Sequence, residues 1–363
     1  MNQLISKIKN NQVAIWLDGE QLRLSSKKDL SDSDLLESIK EHKSSLIRLL
    51  KFNHIYSKSD FINRIIFSVP EEKSELSFAQ ERLLFIHQWQ QGSNAYHIPH
   101  LIRLSDDVNY PALVDAIQYM VRRHPILNTV YRLHENGDTY QQVLNSPLTI
   151  RCLSKNNNTD LLNGIQEAIE QNFDLSEKTP LRVIRFDSPQ GVFVLFVWHH
   201  IAFDGWSAQI FFTELSQAYS SYCLGQTPDL AQIDICYSDY AVWQKVFLQG
   251  EELRNLENYW LEQLGGYSSL HLFTDRPRPP QQDYRGQVFN FSLDTHLSQQ
   301  LRLLARDRKT TLYCLMLSGF YLLLSTLSGQ KDLVIGTPSE NRHHVQTQSV
   351  IGFFVNLLAL RGK

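Results

Sequence analysis

The spacing of apolar and polar positions changes several times along the chain, and each change predicts a different element. Near the start, Leu4, Ile5 and Ile8 recur at helical spacing. Val13-Ala14-Ile15-Trp16-Leu17 and Gln21-Leu22-Arg23-Leu24 then flank Asp18-Gly19-Glu20. Asp-Gly between two strand-like runs signals a hairpin, because glycine takes positive φ at no steric cost. Ser31 or Asp32 is placed to cap a helix carrying Leu35, Leu36 and Ile39, and Leu46, Ile47, Leu49 and Leu50 mark a second helix. The order expected over residues 1–52 is α-β-β-α-α, in a unit small enough to be marginal alone. Asn53, Ser57, Lys58, Ser59 and Asp60 make the next stretch polar before a short apolar run ending at Pro70, so 53–70 reads as a linker.

Further on, Val192 to Trp198 is an unbroken run of apolar, β-branched and aromatic residues. Such a run predicts a strand buried on both faces. It ends in His199-His200, whose side chains leave a strand in opposite directions, so the two imidazoles have different surroundings. One packs inside and the other can face a cleft. Asp204 and Gly205 come next, then Ile210, Phe211, Leu215, Ala218 and Tyr222 at helical spacing, with Gly225 and Pro228 as stop signals. Asp204 near that helix's start is favoured as an ionised carboxylate by the helix dipole. A strand-end histidine, a fixed carboxylate and a glycine suit an acid/base or electrostatic site. His200 and Asp204 also have a spacing open to metal ligation, but no third ligand lies nearby. A simple packed turn is the remaining reading.

Composition narrows the setting. A chain of 363 residues with 42% apolar and 20% charged residues suits a two-part globular protein with a sizeable core. A net charge of −3 gives no bulk electrostatic reason to expect nucleic acid as a partner. The start shows no signal-peptide pattern, and the apolar stretch Leu312–Leu327, interrupted by Ser318, Gly319 and Ser325, reads as a buried helix rather than a membrane span. Four cysteines (Cys152, Cys223, Cys236 and Cys314) occur without any CxxC pair, which argues against a zinc ribbon or disulfide scaffold and for a reduced, cytoplasmic setting.

The α-β-β-α-α pattern with the WLDGEQLRL hairpin resembles the TubC-type docking domain found at the N-terminus of some nonribosomal peptide synthetase subunits. Such domains capture a short C-terminal peptide of the preceding subunit. A two-stranded hairpin leaves edge groups free for strand addition. The resemblance therefore implies docking through Val13, Ile15, Leu17, Gln21, Leu22, Arg23 and Leu24.

A second resemblance covers the chain from about residue 76 onward. His199-His200-Ile-Ala-Phe-Asp204-Gly205 matches the HHxxxDG motif of the condensation-domain family of nonribosomal peptide synthetases. In the family's order stand Ser77-Phe-Ala-Gln-Glu-Arg82-Leu, Gly92 to Pro99, Arg123-His124-Pro125 to Thr129, and Tyr237-Ser-Asp-Tyr-Ala-Val-Trp243. Thr274 to Pro279 with Tyr284-Arg285-Gly286, and Gly336-Thr-Pro338 with Asn341-Arg342 and Ile351 to Asn356, complete the series. The resemblance implies an α/β (α+β) fold of two lobes, each like chloramphenicol acetyltransferase, with a tunnel between them. The expected domains are docking 1–52, linker 53–70, first lobe 71–245 and a partial second lobe 246–363.

The implied reaction is amide-bond-forming acyl transfer between carrier-bound donor and acceptor. The only prosthetic group implied is the phosphopantetheine arm of each carrier domain, with no metal, nucleic acid or membrane involved. His200 becomes the active-site histidine, acting as base or as a positioning group, with Asp204 and Gly205 beside it. His199 orients the loop, and Arg123, with Arg342 as second candidate, pairs with Asp204. The docking unit and the SFAQERL opening favour an elongating domain with an L-configured donor. The alternatives are a fatty-acid starter domain and a docking fragment without catalysis. This chain departs from the family at Pro125 and Asn128, where a glutamate and a second arginine are usual, and it ends soon after the IGFFVN block.

Overall fold

The computed structural model describes residues 1–26, 34–68, 73–89, 93–277 and 286–362. The chain divides into two units, Met1–Gly250 with Glu340–Val355, and Glu251–Ser339 with Asn356–Lys363. The first opens with α1 (Asn2–Asn10), β1 (Val13–Asp18), β2 (Gln21–Ser26), α2 (Asp34–Glu41) and α3 (Lys43–Phe52), the order that the apolar pattern predicts. Asp18 pairs with Gln21 across the turn, and Gly19 sits at φ 61°, the left-handed value that favours glycine. The expected caps Ser31 and Asp32 lie outside the described residues. Val13, Ile15 and Leu17 of β1 are buried with Ile8, Leu46 and Leu50 in a small apolar core, whereas Gln21, Arg23 and Leu24 of β2 are exposed.

The stretch expected to be a linker is packed instead. In α4 (Lys58–Asn63) the Ser57 side chain caps the Asp60 backbone and the Asp60 side chain caps Ser57 in return, a reciprocal box. Ile55, Phe61 and Phe67 are buried in the core of the small unit, and Ile66 is buried in the larger core that follows. The polar residues of this stretch are its caps and surface; its few apolar ones are enough to fasten it. Its end at Pro70 lies outside the described residues.

Next come β3 (Lys73–Glu75), α5 (Phe78–Trp89), β4 (His97–Arg103), α6 (Tyr110–Arg123), β5 (Thr129–Leu133), β6 (Thr139–Val143) and β7 (Ile150–Ser154). They are followed by α7 (Asn158–Glu170), β8 (Leu181–Ser188), β9 (Gly191–His199), α8 (Gly205–Cys223) and α9 (Tyr237–Phe247). The main sheet has the order β4-β9-β8-β7, antiparallel apart from the parallel β7–β8 pair, and β3-β6-β5 form a second sheet. β9 is thus a central strand, with Val194 through His199 buried, as its continuous apolar run predicts. α8 buries Phe211, Leu215 and Ala218 in the same core, its Phe211 ring edge-on to Trp198 at 5.2 Å.

The second unit contains α10 (Gly250–Leu264), α11 (Thr295–Asp307), α12 (Leu312–Ser328) and the antiparallel pair β10 (Leu333–Ser339) and β11 (Asn356–Gly362). The residues of the DRPRP and YRG motifs from Arg278 to Arg285 lie outside the described residues. α12 is helical as expected, capped by the Thr311 side chain and ended by Gly329 at φ 70°. It is not the buried helix that its composition suggests. Leu324 is its one buried residue, and Met316, Phe320, Leu322, Leu323 and Leu327 are exposed. Apolarity favours burial, but covering an all-round apolar helix takes neighbours on every face. Among the described residues no single helix is long and apolar enough to cross a membrane.

Candidate active site

β9 delivers the two histidines to different places. His199, the last strand residue, is 1% exposed, and its Nδ1 accepts from the Ile201 backbone N–H at 3.2 Å. Its ring meets the rings of His87 at 5.0 Å, Phe173 at 5.8 Å and His97 at 6.1 Å. Burial, reinforced by the neighbouring histidines, holds His199 well below the ordinary imidazole range, and burial lowers His87 and His97 as well. These rings form a neutral packed cluster. His200 starts a 3₁₀ turn, His200–Ala202, fixed by its own N–H to the Tyr96 carbonyl at 2.8 Å. It is half-buried, edge-on to Phe353 at 4.8 Å, and its Nδ1, itself buried, has no hydrogen-bond partner among the described residues.

Asp204 is the N-cap of α8 and is 1% exposed. Its Oδ1 accepts from the Ser207 N–H at 2.8 Å and the Ser207 hydroxyl at 2.6 Å, and its Oδ2 accepts from the Phe354 N–H at 3.2 Å. Arg342 donates to both oxygens at 3.2 Å. The guanidinium also donates to the carbonyls of Thr347 and Val350, each at 2.6 Å, and lies 3.9 Å from the centre of the Phe354 ring. Asp204 therefore has no acceptor capacity left for a histidine or a substrate. Its work is to tie the 342–354 segment to the start of α8.

Further buried groups complete this junction. The Ser207 hydroxyl, whose one proton goes to Asp204, accepts from the Gly352 N–H at 3.0 Å and lies 3.0 Å from the Gly352 carbonyl. Tyr237 donates to the Phe353 carbonyl at 2.5 Å and lies 2.8 Å from the Ser77 hydroxyl. A side chain at Gly352 would strike the Tyr237 ring, since a Cβ there would stand 2.0 Å from Cδ2. Segments far apart in sequence thus meet around one loop. At its exposed edge is Gly205, the first residue of α8, with nothing within 4 Å of where a Cβ would stand. Asp204 takes the Ser207 N–H of this first turn, so the N–H suited to a developing negative charge is that of Gly205 at the exposed edge.

A family model described as "Condensation domain" matches residues 70–363. The chain belongs to the condensation-domain family. A model described as "TubC N-terminal docking domain" matches residues 1–51. The N-(5-amino-5-carboxypentanoyl)-L-cysteinyl-D-valine synthase of Amycolatopsis lactamdurans is 37% identical over 293 residues, 80% of this chain and 8% of that protein. Malpinin synthetase of Mortierella alpina is 37% identical over 293 residues, 79% of this chain and 4% of that protein. The chain spans less than a tenth of the length of these relatives. Among solved structures, the X-domain from teicoplanin biosynthesis gives a TM-score of 0.74 at 23% identity, over 82% of this chain and 67% of that one. The epimerization domain from the third module of tyrocidine synthetase B gives 0.70 at 18%, over 80% and 70%. At these identities the likeness is one of fold.

Within the condensation domain, the expected pairing of Arg123 with Asp204 is corrected: Arg342 is the partner. Arg123 ends α6 and donates to Glu214 at 2.9 and 3.1 Å and to the Ala231 carbonyl at 2.5 Å, while His124 lies 2.7 Å from the same carboxylate. Glu214 is ten residues beyond Asp204, about 15 Å along the helix, which puts Arg123 out of reach of the loop. Asn128, at the place of the family's second arginine, is buried and donates to the carbonyls of Leu144 at 2.5 Å and Ser146 at 2.9 Å. Pro125 opens a short 3₁₀ turn, and α6 stops at Arg123 just before it.

The docking residues also separate. Val13, Ile15 and Leu17 are core residues of the small unit, and the Leu17 N–H is taken by the Ile55 carbonyl at 3.1 Å, so their side chains are closed to a partner peptide. The outer strand carries the exposed residues Gln21, Arg23 and Leu24, with Leu22 half-buried against the small core, and Arg23 pairs with Asp18 at 2.9 Å. Sequence reasoning saw Ser77, Tyr237 and Gly352 only as marks of the family. Their roles in the junction are non-local, and nothing in their spacing announces that they meet. His87 and His97 carried no motif signal for a packed cluster.

Proposed function

We propose that this chain docks to the preceding subunit of a nonribosomal peptide synthetase and joins a carrier-bound donor acyl group to a carrier-bound acceptor amine, with His200 at the reacting centre. The observation that carries the reading is the contrast inside the HHxxxDG loop. Asp204 is saturated, His199 is packed away neutral, and His200 alone of the three is only half-buried at the end of the strand; its buried Nδ1 has no partner among the described residues, which leaves the Nε2 side of the ring to face a substrate. In the reaction the acceptor amine attacks the donor thioester carbonyl. The C–N bond forms, the C–S bond breaks, and the released thiolate ends as the thiol after gaining the proton that the amine gives up.

An imidazole can take that proton near neutral pH and pass it on, or can hold the amine in line for attack. Among the described residues no carboxylate orients His200, so the site differs from a histidine–carboxylate relay. The Gly205 N–H at the start of α8 is suited to the oxyanion of the tetrahedral intermediate. The phosphopantetheine arms belong to the carriers and enter as part of the substrates. The first test uses the full subunit with both carriers loaded. Mass spectrometry should find a dipeptidyl product on the acceptor carrier, and its absence with a competent donor and acceptor would overturn the activity.

Docking falls to the outer strand β2, which among the described strands pairs only with β1, so that Gln21–Ser25 can take an extended peptide, with the exposed Leu24 offering apolar contact. The occupant proposed is the C-terminal peptide of the upstream subunit. Calorimetry with that peptide should give saturable heat, with NMR shifts concentrated on residues 21–26. Shifts absent from those residues would remove β2 as the docking strand.

A further inference from the structure

Neighbouring residues after α4 belong to different cores. Ile66 is buried in the core of the condensation lobe and Phe67 in the core of the docking unit, since successive side chains of an extended segment point opposite ways. Arg64 donates to the Asp234 carbonyl at 2.9 Å, and Ser68 donates to the Asp239 carboxylate at 2.7 Å. Lys9 of α1 donates to the Phe61 carbonyl at 2.9 Å and also to that of Arg64. The connecting segment is a wall shared by both parts.

The side-chain amide of Gln346 lies against this wall. Its Oε1 accepts from the N–H groups of Ile65 at 3.0 Å and Ile66 at 3.1 Å, and its Nε2 donates to the Ile66 carbonyl at 3.0 Å. Gln346 sits in the 3₁₀ turn Val345–Thr347. The next carbonyl, that of Thr347, receives the Arg342 guanidinium that holds Asp204. A path of hydrogen bonds, with one covalent step from Gln346 to Thr347, therefore runs from the connector backbone at 65–66 through Gln346 and Arg342 to the start of α8.

We infer that Gln346 is a positioning residue that ties the connector between the docking unit and the condensation lobe to the condensation site. By pinning the 344–350 turn to residues 65–66 it sets the Arg342–Asp204 junction on which the His200 loop rests. This rests on the reading of His200 given above.

Hydrogen exchange on the full chain and single-turnover kinetics in the full subunit test it. Gln346→Leu, which removes all three bonds, should raise exchange across residues 342–354 and lower kcat by about tenfold or more, as small misplacements at a reacting centre do. KM for the loaded carriers and affinity for the upstream peptide should stay within about twofold, as for loss of alignment rather than of binding. Gln346→Glu keeps both acceptor bonds and should restore part of the protection and part of kcat; it also serves if the leucine variant does not fold. Ser68→Ala breaks a bond of the same wall without touching the turn, and should leave exchange in 342–354 at the wild-type level. The inference is overturned if Gln346→Leu leaves exchange and kcat unchanged, or if Ser68→Ala loosens 342–354 equally. Exchange is read without turnover, so an inactive wild type would sink the proposed activity and still leave this comparison decisive.

Discussion

The start and the middle of one helix carry carboxylate–arginine pairs of the same chemistry and different consequence. At the start of α8, Asp204 and Arg342 have side chains 0% and 2% exposed, and their pairing joins positions 138 residues apart. Farther along, Glu214 and Arg123 are 15% and 12% exposed, and the pair fastens α8 to the end of α6, with His124 sharing the carboxylate. The first pair is surrounded by further backbone bonds from the 342–354 segment. The second helps two helices pack. What an ion pair contributes depends on how completely it is buried and on which segments it alone connects.

Arg342→Ala should produce the largest stability loss, about 3–5 kcal/mol, because it strands a buried carboxylate. Chemical denaturation of the full chain measures it, and a loss as small as that of Arg123→Ala would erase the distinction. Arg123→Ala should cost only about 1–2 kcal/mol, since Glu214 keeps His124 and is near solvent. Acidification gives the smallest and most gradual effect. His87, His97 and His199 all have folded-state affinities for protons below the ordinary value of 6.5. Below that value the unfolded chain takes up protons that the folded chain refuses, so stability falls as pH drops. Glu214 is pushed up by burial but pulled further down by His124 and Arg123, so its own contribution is lost only at more acidic pH. Calorimetry from about pH 7.5 down to about pH 5.5, the range in which histidines titrate, should show Tm falling. A flat or rising Tm would contradict the neutral packed cluster.

Local features were the legible ones. The hairpin at Gly19, the order of the first helices and strands, the buried strand ending at His199 and the cap at Asp204 all follow from spacing within a few residues. What sequence left open was long-range. Arg123 and Arg342 are both candidates by charge, and only the packing of α6 along α8 and the return of the 342–354 segment decide between them. The polar look of residues 53–60 hid a packed connector, because Phe61, Ile66 and Phe67 do the fastening just beyond it. α12 shows the same limit in reverse, as its apolar run foretold a helix but not what covers it.

The most direct test of the central claim is the single-turnover rate of dipeptide formation by His200→Ala in the full subunit, with folding verified by an unchanged unfolding transition. The Nδ1 of His200 holds nothing in the loop among the described residues, so the variant should fold as wild type while forming product at least ~100-fold more slowly. Equal rates for the two proteins would take His200 out of the chemistry.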